Sequence, residues 1–475
     1  MNRLACLFSK DTTILWIAAI SAFSRLDIFS FGNYADCMTQ KASPSEASPV
    51  AGKRRIQSLD VLRGFALLGI LLMNILVFAF PFAAYTDPTI DGATEGLNLA
   101  IFASMDVLVE GSMRAIFSML FGAGMLIFLA KRDTDVDTLR GFFYRRTGLL
   151  IVFGLVNAYI FIWPGDILYT YGMAGLLLYF FRDFSSALLT KYSLAIFFFL
   201  GVIHTGLHMD ARSLRNDVKV VEALPHGTVL STEQLQTLDD WDSFLEEQFV
   251  SSEVVQLEYE TRKSGYIANV IAHAPFNFLQ QTVVLVFSSL WDVLAMMLLG
   301  MAFFKWGLLD ASRRSRDYWL LAIAGIGLGL PLNYLETATY ISSGYEIYWA
   351  GGYRPSYDVS RLSLAVGYIG IIMLICKHAL FPWFRSALAA VGQLALTNYL
   401  SQSLICNLIF MGFGLGLFGD LQRYQAYLVV LGVWIIQIVF SLVWLRFYRF
   451  GPAEWLWRSL TYKQSQPLRL ATPQA

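Results

Sequence analysis

The sequence is poor in charged side chains. Only 15% of its 475 residues are Asp, Glu, Lys or Arg, while 56% are hydrophobic; ordinary soluble domains have about a quarter charged residues. This composition excludes a water-soluble enzyme. Basic and acidic residues number 35 each, so no excess of positive charge points to nucleic acid, and we expect no nucleic-acid partner.

Cysteine and histidine are also scarce. The four cysteines lie far apart and form no CxxC pair, which argues against a disulfide framework and a metal site. His204 and His208 are four residues apart, a spacing that can present two imidazoles to one metal or proton. Because no third ligand has a matching spacing, two histidines with ordinary partners are favoured, and His273 is equally ambiguous. We expect no metal and no cofactor.

Long apolar runs are abundant. A helix needs about 20 apolar residues to cross the hydrocarbon core, or somewhat fewer when flanking side chains reach the interface. The sequence therefore predicts an all-α polytopic membrane protein with about ten transmembrane helices, and the lipid bilayer is its first partner. The ten runs are 64–84, 115–130, 147–165, 167–181, 192–209, 283–304, 318–335, 362–376, 388–410 and 424–445.

The placement of basic residues supports this arrangement. With ten helices, 21 Lys and Arg residues fall on one side of the membrane and nine on the other. Since basic residues accumulate in cytoplasmic connections, the richer side is cytoplasmic. Both ends of the helical core are therefore predicted to lie in the cytoplasm.

The connections divide the chain into five parts. Residues 12–31 are apolar but contain Arg25 and Asp27, and a Ser-, Pro- and Ala-rich linker follows. The acidic outer connection is predicted to hold one or two amphipathic helices over 235–259. The parts are a flexible extension 1–53, helices one to five in 54–209, the outer connection 210–275, helices six to ten with an amphipathic tail in 276–462, and a flexible tail 463–475.

Charged side chains inside a span cost a few kcal/mol, so each is a functional candidate. Asp292 lies nine residues into its apolar run, about 14 Å deep and near the bilayer midplane. No Lys or Arg lies in the centre of a neighbouring span, which favours a protonated carboxyl or one that faces a wet cavity. Structural pairing between helices is the alternative.

Two further groups of charged residues lie at the ends of spans. Asp60 and Arg63 share one helical face at the cytoplasmic mouth of the first span, where the guanidinium could bind a phosphate; an N-cap with a snorkelling arginine is the alternative. Asp106, Glu110 and Arg114 are predicted to share one stripe at the outer end of the second span. There they could bind a polar group or act as acid and base, or simply form a solvated entry turn.

Asp166 follows a Trp-Pro-Gly turn at the start of the fourth span, where the helix dipole stabilises a carboxylate. That structural role is sufficient, although the turn faces the same side as Glu110.

Amide side chains are the remaining polar candidates. Asn398 and Gln402 form a polar stripe that either lines a site or packs helices together. Gly412, Gly414, Gly416 and Gly419 follow, and we expect them to allow close approach of a ligand. Further polar lining residues are predicted at Asn74, Asn157 and Asn333. Similar glycine motifs at 121–125 and 299–303 suggest an internal repeat that relates spans two to five to spans six to nine; chance similarity between glycine-rich membrane helices is the alternative.

Several motifs resemble a known family. Residues 58–75 (SLDVLRGFALLGILLMNI) resemble the first helix of the YeiB-like bacterial inner-membrane proteins, whose function is unknown. Residues 392–405 (GQLALTNYLSQSLI) and 451–462 (GPAEWLWRSLTY) resemble the family's C-terminal domain, and 163–168 (WPGDIL) resembles another of its elements. The resemblance covers nearly the whole chain and implies a multi-pass protein of the bacterial inner membrane.

The Ser-Leu-Asp-x-x-Arg-Gly opening is also distantly similar to heparan-glucosaminide acetyltransferase-like membrane enzymes. That similarity implies transfer of an acyl group from cytosolic acyl-CoA to a sugar across the membrane, with Asp60 and Arg63 at the donor mouth. Those enzymes carry a reactive histidine in the loop after the first helix. Here that loop, 85–110, has none, so Glu110, Asp166 or Asp292 would act as the base.

Three functions therefore remain open. The leading hypothesis is acyl transfer from acyl-CoA, as a co-substrate, to a small-molecule or glycan acceptor outside. The second is a proton-coupled transporter in which Asp292 titrates. The third is a membrane protein without chemistry that binds a partner through its outer connection. The oligomeric state is not predicted.

Overall fold

The computed structural model of the chain describes residues 56–130, 135–248 and 251–470. Within these residues the regular structure is helical, which confirms the predicted all-α class. In the same part of the chain, an isolated β-bridge joins Tyr448 to Arg469. The predictions for the extension 1–53 and for residues 471–475 lie outside the described residues.

The described helices are numbered α1 to α16 along the chain. They are α1 Gln57–Ala79, α2 Gly96–Leu108, α3 Ser112–Leu129, α4 Val136–Leu155, α5 Leu168–Leu178, α6 Ser186–Glu222, α7 Thr232–Gln248, α8 Ser252–Arg262, α9 Tyr266–Leu279, α10 Leu290–Lys305, α11 Ser315–Ser342, α12 Tyr357–Lys377, α13 Pro382–Gln393, α14 Ala395–Phe410, α15 Arg423–Trp444 and α16 Pro452–Tyr462. Two π-helical stretches continue α4 and join α9 to α10, at Val156–Ile160 and Gln280–Ser289.

Each of the ten predicted runs lies on a helix or on consecutive helices. Three of these runs lie on helices that are not both long and apolar enough to cross a membrane. They lie on α4, whose first half is charged, on the short α5, and on α13 with α14, which are interrupted at Leu394. The polytopic all-α fold is thus confirmed, whereas the count of ten spans stays a prediction. Seven segments of the described chain are long and apolar enough to cross a membrane: Gln57–Ala79, Gly96–Leu129, Ser186–Glu222, Tyr266–Lys305, Ser315–Ser342, Tyr357–Lys377 and Arg423–Trp444.

Glycines allow the central helices to pack backbone against backbone. A Cβ atom on Gly122 of α3 would lie 2.1 Å from the carbonyl oxygen of Met297 in α10, and one on Gly300 of α10 would lie 1.9 Å from that of Met119 in α3. Small residues are the usual means of such close approach in membranes. The contact is reciprocal and uses the two glycine motifs that suggested an internal repeat, as a two-fold relation between them would require.

The two outer connections are more ordered than loops. The stretch 85–110, expected to be a loop, contains α2. The large connection contains α7 and α8 over the stretch where one or two helices were predicted. A small apolar core of Val218, Trp241 and Ile347 fastens α7 to the outer end of α6.

Candidate functional site

A cavity of about 270 Å³ lies between α1, α3, α4, α5, α13, α14 and α16. It extends from Ile56 and Trp457 at the predicted cytoplasmic end to Tyr171 and Tyr399 inside the bundle. The apolar part of the wall is built mainly from α3 and α4. Its main apolar residues are Leu59, Phe117, Leu120, Phe121, Met125, Ile127, Phe128, Phe143, Leu150, Leu168 and Leu396.

The predicted Asp60–Arg63 pair lies in the wall of this cavity. Nη1 of Arg63 donates to Oδ1 of Asp60 at 2.9 Å and approaches the carbonyl oxygen of Gly392 at 3.5 Å. The N-cap alternative is not what the structure shows, because Ile56 occupies that position and Ser58 donates its hydroxyl to the carbonyl oxygen of Leu309 instead. The pair therefore holds the Arg63 guanidinium at the cavity wall.

Two more arginines join Arg63 in the cavity wall, Arg146 from α4 and Arg458 from α16. The guanidinium carbon of Arg146 lies 3.6 Å from the ring centroid of Trp457, which holds the side chain by a cation–π contact. Arg146 precedes its predicted span, and there burial, followed by the positive charges of Arg458 and Arg63, lowers the pKa of its guanidinium. An anion bound among the three would relieve this repulsion.

Glu454 also borders the cavity, but its carboxylate is already engaged. It accepts hydrogen bonds from the backbone N–H groups of Leu396 and Thr397 at 2.6 and 3.1 Å, and from the Thr397 hydroxyl at 2.5 Å. Glu454 thus caps the N-terminus of α14 from the tail helix α16. Burial raises the pKa of its carboxyl despite these bonds.

The inner end of the cavity is closed by hydroxyl groups. The Tyr171 and Ser118 hydroxyl oxygens are 2.6 Å apart, so one donates to the other, and the remaining proton can go to the carbonyl oxygen of Arg114, which lies 2.9 Å from Ser118 and 3.4 Å from Tyr171. Ser118 lies about 6 Å along α3 from Arg114, one helical turn. The cavity therefore ends one turn below a second polar centre.

That second centre surrounds Asp292, and here one prediction was wrong. Asp292 is not a lone carboxylate: Nη2 of Arg361 lies 2.5 Å from its Oδ1, and Nη2 of Arg114 lies 3.9 Å from its Oδ2. Arg361 lies on α12 one residue before the apolar run that was scanned, so the scan left this partner out. Asp292 lies thirteen residues before Lys305, about 20 Å along α10 from its last residue, and its depth near the bilayer midplane stays a prediction.

Glu110 joins the same network through two tyrosines. Its two carboxylate oxygens accept hydrogen bonds from Tyr85 at 2.6 Å and from Tyr357 at 2.8 Å. Arg114 in turn donates to the Tyr357 hydroxyl at 3.3 Å. The Arg114 side chain is 42% exposed, and a charged side chain within a membrane span is a functional candidate because its exposure to hydrocarbon is costly.

The network continues to α6. Arg361 bonds Asp358 on its own helix, and Oδ2 of Asp358 lies 3.0 Å from Nδ1 of His204. We call the eight residues together the outer network: Tyr85, Glu110, Arg114, His204, Asp292, Tyr357, Asp358 and Arg361.

The predicted stripe of Asp106, Glu110 and Arg114 was wrong in its geometry. The helix breaks at Gly111, whose φ is +67°, so Asp106 lies on α2 and Arg114 on α3. Glu110 and Arg114 still meet through Tyr357, whereas Asp106 binds Arg354 at 2.8 Å and the Thr337 hydroxyl at 2.6 Å.

Asp166 has a structural role in this arrangement. Its Oδ2 accepts the backbone N–H of Tyr169 at 2.8 Å at the start of α5, and its Oδ1 accepts a hydrogen bond from Asn157 at 2.8 Å. The carboxylate therefore caps a helix, as the dipole argument predicted.

The amide candidates mostly join helices. Asn398 donates to the Ser441 hydroxyl at 3.0 Å, and Gln402 donates to Gln437 at 3.1 Å, which links α14 to α15. Asn333 donates to the carbonyl oxygen of Val107. Asn74 is half-buried on α1. The packing interpretation therefore accounts for Asn333, Asn398 and Gln402.

The glycines after α14 approach protein rather than a ligand. A Cβ atom on Gly412 would lie 1.9 Å from the carbonyl oxygen of Lys263, and one on Gly419 would lie 2.1 Å from the Tyr259 ring. The outer turn therefore closes against the corner between α8 and α9.

Sequence reasoning missed Tyr357, Asp358 and Arg361, although one signal was available. Asp358-Val-Ser-Arg361 repeats the Asp-x-x-Arg spacing of Asp60-Val-Leu-Arg63 at the opposite end of a span. Arg146 and Trp457 gave no such signal, because a cation–π contact between residues 311 positions apart leaves no local pattern.

The chain is similar to known proteins over most of its length. Residues 303–464 match the family model described as protein of unknown function (DUF418). The chain is 28% identical to the uncharacterized protein YeiB of Escherichia coli (strain K12), over 86% of this chain and 97% of that protein. It is 27% identical to the uncharacterized protein YxaH of Bacillus subtilis (strain 168), over 90% of this chain and 99% of that protein.

Proposed function

We propose a function from the premise that this chain is a member of the YeiB-like family of membrane proteins. It binds an acyl-CoA donor from the cytosol in the cavity and transfers the acyl group to a small-molecule or glycan acceptor on the outer side. The protein would act in the bacterial inner membrane.

The chemistry of the cavity supports such a donor. Three guanidinium groups, those of Arg63, Arg146 and Arg458, stand against the carboxylates of Asp60 and Glu454, so positive charge is in excess. Guanidinium groups bind phosphates through paired, charge-assisted hydrogen bonds. The apolar walls suit the acyl group and its arm. An amphiphilic phosphorylated ligand matches both parts of the cavity.

The observation that carries the proposal is the position of the cavity's inner end. A thioester that reaches Ser118 and Tyr171 lies about one helical turn, 6 Å along α3, from Arg114. The outer network begins there. Donor and acceptor sites so placed need only a short movement of the acyl group to cross the core.

Of the three proposed bases, Glu110 fits best. Asp166 caps α5, and Asp292 is paired with Arg361, which makes its carboxylate a weak base. In the proposed step Glu110 takes the proton of an acceptor hydroxyl, and the hydroxyl oxygen bonds to the thioester carbon to give a tetrahedral oxyanion that Arg114 stabilises. The C–S bond then breaks, and the departing thiolate takes the proton from Glu110.

The test is donor binding by purified protein in nanodiscs. Acetyl-CoA and longer acyl-CoAs should raise the thermal unfolding temperature, and Arg146→Gln should weaken binding at least tenfold, about 1.4 kcal/mol. Arg145→Gln is the matched control, because Arg145 is the neighbouring residue, donates to the carbonyl oxygen of Thr461 and does not line the cavity. Equal losses in both variants, or no shift with any acyl-CoA, would contradict the proposal.

A proton-coupled transporter is the second candidate, and the outer network favours it. Its ion-paired carboxylates, Asp292 among them, are typical of the charged groups that line transport pathways. In proteoliposomes, Asp292→Asn should then abolish pH-driven flux of a small solute. Unchanged flux in that variant would remove this candidate.

A further inference from the structure

The charges of the outer network do not balance without a proton. It contains three carboxylates, Glu110, Asp292 and Asp358, and two guanidinium groups, Arg114 and Arg361. The hydroxyls of Tyr85 and Tyr357 are uncharged donors to Glu110. With a neutral imidazole at His204 the network therefore carries one net negative charge.

Burial makes such an imbalance costly. The side chains of Arg361 and Asp358 are 3% and 4% exposed, and that of Asp292 is 14% exposed. An uncompensated charge among groups shielded from water is strongly destabilising, whereas balanced, hydrogen-bonded charges are tolerated.

His204 is placed to supply the missing positive charge. Its Nδ1 lies 3.0 Å from Oδ2 of Asp358, while Arg361 bonds the other oxygen of that carboxylate. Both protonation states of an imidazole can donate from Nδ1, so the geometry alone does not choose between them. The charge count favours the protonated state, because an imidazolium gives the network three negative and three positive charges.

The other groups around His204 leave this count unchanged. The helix that carries His204, α6, packs against α10, which carries Asp292, and against α12, which carries Asp358 and Arg361. The turns at Ile347–Trp349 and Gly351–Tyr353 also contact α6, and there His208 bonds the backbone carbonyls of Tyr348 and Tyr353. Nearby, Arg354 pairs with Asp106, and the buried carboxylate of Glu336 accepts the backbone N–H of Ser356, so this neighbourhood adds no positive charge in excess.

We propose that the outer network is a proton-binding site in which His204 holds one exchangeable proton. The side chain of His204 is 18% exposed, and it lies eighteen residues beyond Ser186, about 27 Å from the inner end of α6 and near the outer interface. Protons therefore reach it from the outer side. This site is independent of the donor cavity, and it supplies a proton to whatever reaction or transport the outer side performs.

The test is charge rescue measured by thermal unfolding in nanodiscs. His204→Gln leaves one net negative charge and should lower the unfolding temperature. Adding Asp358→Asn to that variant removes one carboxylate and should restore most of the loss, since the amide oxygen of the new side chain can still accept a bond from Arg361. The pair His208→Gln with Asp358→Asn is the matched control and should show no rescue, because His208 bonds only backbone carbonyls.

A charge-keeping variant gives a second readout. His204→Lys keeps a positive charge beside Asp358 and should lose less stability than His204→Gln. A double variant no more stable than His204→Gln, or a His204→Lys variant no more stable than His204→Gln, would overturn the proposal. If His204→Gln fails to fold, recovery of folded protein in the double variant would support the proposal, and no recovery would overturn it.

Discussion

The reciprocal glycine contact between α3 and α10 predicts a sharp difference between two neighbouring substitutions. In Gly122→Ala the new methyl carbon would lie 2.1 Å from the carbonyl oxygen of Met297, whereas in Gly124→Ala it would meet nothing within 4 Å. Since ordinary contact begins near 3.4 Å, α3 and α10 must separate by roughly 1.3 Å in the first variant. Overpacking of that kind costs about 1–3 kcal/mol.

The second variant should behave in the opposite way, because alanine favours helix over glycine by up to about 1 kcal/mol. Gly122→Ala gains the same helix propensity, so the two free energies of unfolding, measured by denaturant titration in mixed micelles, should differ by the overpacking cost, about 1–3 kcal/mol. Gly300→Ala should resemble Gly122→Ala, because its methyl carbon would lie 1.9 Å from the carbonyl oxygen of Met119. If Gly122→Ala were as stable as Gly124→Ala, the close helix contact would be refuted.

Two further predictions concern buried charges. Arg361→Gln removes the guanidinium that Asp292 and Asp358 share and leaves them with Arg114 and His204 respectively. It should cost about 3–5 kcal/mol of unfolding free energy, more than Asp292→Asn, which leaves Arg361 its bond to Asp358. The reverse order in a denaturant titration would contradict the pairing. At Glu454, burial raises the carboxyl pKa above its usual 4.5, so the folded state binds the proton more tightly and stability falls as pH rises from about 4.5 toward the raised value. Glu454→Gln should abolish that fall in thermal unfolding scans, and a slope equal to that of the wild type would exclude this assignment.

Helix positions were predictable because one physical length controls them. Hydrocarbon thickness requires long apolar segments, and the run 362–376 reveals α12 without any knowledge of its neighbours. The same rule hides Arg361, which stands one residue outside the run and belongs to the helix all the same. Scanning for apolar residues finds where a helix crosses, but it discards the flanking charges that bind other helices.

Pairing was not predictable, because it depends on contacts far apart in the chain. Asp292 was correctly singled out as costly in a membrane, yet its partner lies 69 residues away on a helix whose packing the sequence pattern does not specify. Arg114 was found from its spacing to Glu110, and the two do converge, although through Tyr357 and across a helix break. A correct spacing can therefore survive an incorrect helix assignment when a third residue bridges the pair.

Basic residues on the two sides of this fold have different contacts. The count that orients the helices places nine of them outside, and eight of those nine pair with carboxylates: Arg114, Arg215, Lys219, Arg262, Lys263, Arg354, Arg361 and Arg423. The side chain of Arg423 is 1% exposed and that of its partner Asp91 is fully buried. Such arginines hold the outer segments against the bundle, and their positions reflect these contacts rather than the membrane potential or lipid charge. On the predicted cytoplasmic side, Arg146 and Arg458 line the cavity instead. The asymmetry that predicts the orientation thus also separates the two centres: an excess of guanidinium groups where we propose that a phosphorylated donor enters, and ion pairs where we propose that a proton is held.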